Sequence, residues 1–182
     1  MQNDYILNAF QAYVDTIIPR TPGLAEVYGY IQYYGALDLQ VDQFLLYNFE
    51  HVSMSSAELA ALLLNAAAVQ WLVNQGYEGR GSLDLLPPSD RLSAIMLLEL
   101  QQMDPRLLSE EFLNDPGLMV MLTDTLLYYT LQGYYSEWAG YGTTRLNPPQ
   151  ERVLEYFPLS WEQVGYPGPS LGYRVLRTVD IS

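Results

Sequence analysis

The sequence predicts an all-α protein, an irregular bundle of about six to seven helices followed by an extended C-terminal tail rich in Gly, Pro and aromatic residues. Three observations carry this expectation. Apolar side chains recur at helical spacing through residues 1–135; no stretch alternates at period two between hairpin turns; and Pro and Gly cut the chain into pieces of helical length. The expected division is therefore a helical domain over 1–135 and an extended tail over 136–182, packed on that domain or on a partner.

The first helix is expected over Tyr5 to Ile18, capped by Asn3 or Asp4, with Ile6, Phe10, Tyr13, Val14 and Ile17 on one face and Pro19 as its stop. A second is expected to open at Pro22 and end near Gly35, with Tyr28, Tyr30, Tyr33 and Tyr34 spread around it. A third is expected over Asp38 to His51, burying Leu39, Phe44 or Leu45, and Phe49. Ser55 and Glu58 form a capping box that predicts a central helix from Ser56 to Gln75, closed by Gly76. Its expected stripe, Leu59, Leu62, Leu63, Ala66, Val69 and Leu72 or Val73, is broad and alanine-rich, which allows close approach by neighbours. Although Ala57 to Val73 is strongly apolar, Glu58, Asn65 and Gln70 interrupt it, so it reads as a core helix rather than a membrane span.

Residues 77–88 read as a Gly- and Pro-rich loop. Ser89 or Asp90 then starts a helix expected to reach Met103 through Leu92, Ile95, Met96 and Leu100. Asp104-Pro105 and Asp115-Pro116 repeat one start signal, a carboxylate cap followed by proline at the first helical position. They predict a short helix over Pro105 to Leu113 and a long one from Pro116 to about Tyr135. The remaining residues hold too many Gly and Pro for regular helix. They also carry Trp138, Tyr141, Tyr156, Phe157, Trp161, Tyr166 and Tyr173, unlike a disordered segment, so the tail is expected to lie on something.

Composition excludes much chemistry. The 182 residues include eight Arg and no Lys, no Cys and one His, with a net charge of −13. That removes lysine Schiff bases, thiolate nucleophiles, cysteine-bound metal and two-histidine metal sites. No catalytic, cofactor-binding or metal-binding residues are expected in this chain, and it is expected not to be an enzyme. The acidic balance disfavours nucleic acid and an anionic membrane surface, no direct membrane insertion is expected, and the charge suits steering toward a basic partner. A chain of this length can bury roughly 70% of its unfolded surface without disulfides. The N-terminus MQNDYILNAF shows neither a basic region nor an unbroken apolar stretch, so a signal peptide is not expected within it.

The remaining enzymatic option is a carboxylate pair. Glu110, Glu111, Glu151, Glu155 and Glu162 sit in polar contexts, and Asp15, Asp104 and Asp115 at helix ends or on outer faces, so capping and solvation are the expected roles. Asp124, amid Leu118, Met119, Met121, Leu122, Leu126 and Leu127, is expected to face water, with a buried arginine pair as the alternative. His51 is expected at a helix end, where the dipole favours imidazolium. Gly76, Gly79 and Gly81 lack a preceding strand and read as loop. The most distinctive string is Trp161 to Ser170, in which Pro167 and Pro169 stiffen the backbone while Gly165 and Gly168 permit sharp turns, a ribbon suited to docking.

Both ends of the chain resemble one family. Phe10-Gln11-Ala12-Tyr13-Val14-Asp15-Thr16-Ile17-Ile18-Pro19-Arg20-Thr21 is similar to the "ADTLIPRT" helix end of gluconate 2-dehydrogenase subunit 3 proteins. Tyr134-Tyr135, then Tyr141, Gly142 and Arg145, then Trp161 with Gly165-Tyr166-Pro167-Gly168-Pro169-Ser170 and Gly172-Tyr173, resemble its closing part. The resemblance implies a cofactor-free accessory subunit that binds, stabilises and helps mature or export a large subunit of the glucose-methanol-choline type. That partner would hold FAD, and a cytochrome c subunit often accompanies it. The implied partner-binding residues are Trp161, Gly165, Tyr166, Pro167, Gly168, Pro169, Tyr173, Tyr141 and Arg145. The family's twin-arginine leader is not in this sequence. The expectation is a periplasmic location if a leader has been removed, and a cytoplasmic one otherwise. The stretch between Arg145 and Trp161 is longer than the family's usual link. The alternative is a stand-alone helical protein that binds a small apolar ligand or another protein.

Overall fold

The computed structural model describes residues 2–51 and 57–168. Among these there are eight α-helices and no strand: α1 (Gln2–Ile17), α2 (Ala25–Tyr28), α3 (Val41–His51), α4 (Ala57–Asn74), α5 (Pro88–Glu99), α6 (Glu110–Asn114), α7 (Pro116–Tyr135) and α8 (Leu159–Val164). The protein is all-α, as its sequence predicts. Ser55 of the capping box, the expected start at Ser56, and Pro169, Ser170, Gly172 and Tyr173 lie outside the described residues.

Helices α1 and α4 form the centre. Helix α1 packs against α3, α4, α5 and α7, and buries Ile6, Phe10, Tyr13 and Val14 on the face its spacing specifies. It begins at Gln2, so Asn3 and Asp4 fall within its first turn, and the Asp4 carboxylate meets the positive end of the helix dipole. Helix α4 is 18 residues long with a mean hydropathy of 1.3, enough by length and composition alone to cross a membrane, and half of it is buried inside the fold.

The buried face of α4 is alanine-rich, as expected, and is shifted from the expected stripe: Leu63 is buried and Leu59, Ala66 and Leu72 pack partly against the core. Ala57, Ala60, Ala61, Leu63, Leu64, Ala67 and Ala68 are buried, while Leu62 and Val73 are exposed. Neighbouring helices come closest where alanine leaves room, so the small residues mark the contact side. The polar interruptions are internal as well. Asn65 Oδ1 accepts the backbone N–H of Leu83 at 2.8 Å, and Gln70 Oε1 accepts that of Asp104 at 2.8 Å. Each ties a returning loop to the central helix by satisfying a donor that would otherwise be buried.

Several expected boundaries move, each for a local backbone reason. The helix expected over Pro22 to Gly35 is broken at Gly29, where φ is 92°, into a 3-10 turn (Pro22–Leu24), α2 and a second 3-10 turn (Tyr30–Tyr33). The chain doubles back there, and Thr21 N–H donates to the Gln32 carbonyl at 3.0 Å. Helix α3 starts at Val41 rather than Asp38 because Gln40 takes a positive φ of 54°. Helix α5 stops at Glu99 rather than Met103. Gln101, with φ 53°, closes it in a Schellman motif: Gln102 N–H donates to Leu97 O at 2.8 Å and Gln101 N–H to Leu98 O at 3.0 Å. Its buried residues are Ala94, Ile95 and Leu98; Leu92, Met96 and Leu100 face out.

The helix expected over Pro105 to Leu113 is interrupted by extended backbone at Leu108 and Ser109, leaving a 3-10 turn (Pro105–Leu107) and α6. Both carboxylate caps form, Asp104 accepting from Arg106 N–H at 2.9 Å and Asp115 from Gly117 N–H at 3.0 Å. Helix α7 spans the expected residues. It meets α3 at Gly133, where a Cβ would stand 2.8 Å from the Phe44 ring and 3.0 Å from Val41 Cγ1. The tail is not wholly extended either. It holds 3-10 turns at Trp138–Thr144 and Pro149–Glu151, and α8 fills the interval between Pro158 and Gly165, which contains neither Pro nor Gly.

Candidate interaction surface

The first part of the tail is pinned to the helices by one aromatic cluster. Trp138 is 1% exposed; its indole N–H donates to Gln40 O at 2.9 Å and its ring meets Phe44 edge-on at 5.1 Å. The Arg152 guanidinium lies 4.8 Å from the Tyr47 ring centre, 5.8 Å from that of Trp138 and 5.9 Å from that of Tyr141, a cation held among π-faces. Gly140 lets the chain fold back on itself, its carbonyl accepting from Glu155 N–H at 2.8 Å and Tyr156 N–H at 3.0 Å. A Cβ there would stand 2.5 Å from the Tyr156 carbonyl oxygen. Thr143 donates to Glu155 through its hydroxyl at 2.5 Å and its N–H at 3.0 Å, which holds that carboxyl below the usual carboxylate range.

Two of the residues implied as partner contacts belong to this cluster. Tyr141 is half-buried and donates to Glu137 at 3.0 Å; burial, then that hydrogen bond, push its phenol up. Arg145 donates to Gly142 O at 2.8 Å and to Gln40 Oε1 at 2.6 Å, and burial lowers its affinity for a proton. The polar atoms of both serve this chain's own turns.

The other described candidates gather at α8. Trp161 is half-buried and meets Phe157 edge-on at 5.7 Å and Tyr166 at 4.9 Å. Gly165, at φ 67°, caps the helix, and Tyr166 N–H donates to Trp161 O at 2.8 Å. Tyr166 and Pro167 are exposed, and Gly168 turns again at φ 94°. Pro169 and Tyr173 lie outside the described residues. Helix α8 packs on the Tyr30–Tyr33 turn, and Gln163 Nε2 donates to Tyr28 O at 3.2 Å. The fold thus sets the tail ribbon beside exposed Val27, Tyr28, Tyr30 and Tyr33. The local signal for the break is Gly29, which takes the positive φ that ends α2.

The carboxylates divide between surface and structural roles. Asp124 is exposed, as expected. Asp15 pairs with Arg91 at 3.3 Å, and Arg91 also donates to the carbonyls of Leu86 at 2.8 Å and Asp84 at 3.0 Å. Asp42, buried in the first turn of α3, accepts from Gln11 at 3.1 Å. The clefts along α1 and α3, of about 330 and 460 Å³, are open to solvent. His51 ends α3, with Nδ1 3.0 Å from the Tyr47 carbonyl and its ring stacked on Tyr47 at 4.6 Å. No group of three or more metal-ligating side chains occurs among the described residues. Comparison with family models, curated proteins and solved structures gives no match to this chain.

Proposed function

We propose that this all-α protein is an accessory subunit that binds and stabilises a flavin-dependent dehydrogenase of the glucose-methanol-choline type and helps it mature or reach its compartment. The observation that carries the reading is the aromatic tail. Its first part is anchored through Trp138, while α8 and the residues after it set Tyr166 and Pro167 at the surface beside more exposed tyrosines. Exposed aromatics of this kind are what protein interfaces are enriched in. The resemblance at Phe10 to Thr21 and at Trp161 to Tyr173 supplies the identity of the partner, and the lack of Lys and Cys accords with chemistry residing in another polypeptide. Co-expression with a neighbouring gene for such a flavoprotein, followed by affinity capture through a tag on this chain, tests the reading. A stable complex carrying FAD is the expected result, and no complex at any of several salt concentrations would sink it.

A further inference from the structure

The fold leaves one continuous face apolar without using it internally. Val27 is 74% exposed, Val164 70%, Tyr28 60%, Tyr30 59%, Tyr33 43% and Tyr166 42%. The face is continuous because Gln163 donates to the Tyr28 carbonyl at 3.2 Å and α8 packs on the Tyr30–Tyr33 turn. It is also held in shape. Tyr30 and Tyr34 share a hydroxyl hydrogen bond of 2.7 Å, Tyr30 and Tyr33 rings lie 5.9 Å apart, and Thr21 is bonded to Gln32 across the base of the turn. A Cβ built at Gly29 or Gly165 meets nothing within 4 Å, so the two left-handed turns that bound the face open onto free space.

Charge selects the occupant. Residues 21–38 and 156–168 contain Glu26, Asp38 and Glu162 and no basic side chain, on a chain of net charge −13. A second copy would bring like charges together. A basic surface would meet both the carboxylates and the tyrosine rings, which attract guanidinium and ammonium groups over their faces. We infer that Val27, Tyr28, Tyr30, Tyr33, Val164 and Tyr166 form a docking surface for a protein patch that is apolar at its centre and rimmed by arginine or lysine. The inference rests on the accessory-subunit reading for which protein carries that patch.

The test uses the full-length chain and the co-expressed flavin-dependent large subunit, with affinity measured at several salt concentrations. Tyr28→Ser with Tyr30→Ser is expected to weaken binding by about tenfold or more at every salt concentration. Glu26→Arg with Glu162→Arg is expected to weaken it mostly at low salt and to flatten its salt dependence. Tyr77→Ser, at an equally exposed tyrosine in the loop after α4, is expected to change nothing. Because Tyr30 also bonds Tyr34 and packs on Tyr33, thermal melting is followed for each variant, and Val27→Ser repeats the test if the double tyrosine variant melts early. Binding that survives the tyrosine and charge variants overturns this surface alone. Failure of the unsubstituted chain to bind overturns the accessory-subunit reading and this partner with it. Self-association abolished by the tyrosine variants would instead assign a second copy. Tyrosines protected in the full chain but not after truncation at Gly168 would assign residues 169–182 and equally overturn the proposal.

Discussion

The indole N–H of Trp138 donates to the carbonyl of Gln40, a residue held at φ 54°, so the tail is fastened at the point where the backbone turns into α3. Replacing Trp138 by Ala should cost about 3–5 kcal/mol, the range for deleting a fully buried large aromatic. Trp138→Phe keeps ring contact with Phe44 and removes only the indole donor, leaving the Gln40 carbonyl with the Phe44 N–H at 3.3 Å, and should cost less. Urea denaturation monitored by far-UV circular dichroism checks the order of the two variants; equal losses would show that the hydrogen bond contributes nothing.

Gln101 closes α5 in a backbone region that favours glycine. Gln101→Gly should raise stability by roughly 0.5–1 kcal/mol, because the steric relief of the left-handed conformation exceeds the entropy glycine adds to the unfolded chain. Gln40→Gly should not gain likewise, since Gln40 Oε1 also accepts from Arg145. Comparing the two melting temperatures separates backbone relief from the loss of a side-chain contact.

Tyr13 is 1% exposed, and its hydroxyl has no hydrogen-bond partner among the described residues. An unsatisfied buried hydroxyl is costly, so Tyr13→Phe should leave stability unchanged or raise it by up to about 1 kcal/mol. A loss of more than about 1 kcal/mol in chemical denaturation would mean that the hydroxyl has a partner.

Alanine normally strengthens a helix relative to glycine, yet Gly133→Ala should destabilise α7 against α3. The added methyl would meet Phe44 and Val41 at 2.8 and 3.0 Å, and overpacking of this kind costs about 1–3 kcal/mol. Gly133→Ala combined with Phe44→Leu should recover part of that loss, a coupling readable in a double-mutant cycle.

Burial pushes the Tyr134 phenol up to about 12, with smaller contributions from Tyr135 and Asp38, and its hydroxyl donates to the Tyr34 carbonyl at 2.9 Å. Because the folded value lies above the ordinary 10, the stability this group contributes is fully present below pH 10 and is lost as pH rises toward 12. Ultraviolet titration near pH 11 should therefore leave Tyr134 and the buried Tyr13 un-ionised. Tyr134→Phe should reduce the number of late-titrating groups and cost about 1 kcal/mol at neutral pH.

How far the sequence was legible follows from where the physics is local. Gly76 and Gln101 close their helices with the same pair of backbone hydrogen bonds, but only the glycine announces it, so the end of α4 could be anticipated and that of α5 could not. Helix α7 could be read because Asp115 and Pro116 mark its start without tertiary help. The stripe of α4 could be read in part: its alanine content announces close approach, whereas which of its residues lie deepest depends on how α1, α5 and α7 pack on it. Asn65 and Gln70 interrupt an apolar run in the sequence, yet in the fold their amides reach loops 18 and 34 residues away. In the candidate surface, Trp161, Gly165 and Tyr166 were visible as a local string. Tyr28 and Tyr30 joined them only through a contact across 135 residues.

The arginines have a further consequence. Arg91, Arg145 and Arg152 point their guanidinium groups at this chain's own carbonyls, carboxylates and rings, and Arg106 folds onto Asp104 at 2.5 Å. The guanidinium groups of Arg91, Arg145 and Arg152 are partly withdrawn from solvent, while Arg20, Arg80 and Arg106 are exposed. At a formal charge of −13 the molecule as a whole is an anion. It should be retained late on anion-exchange media and keep its own copies dispersed, while a complementary cationic protein would feel its field before any contact forms.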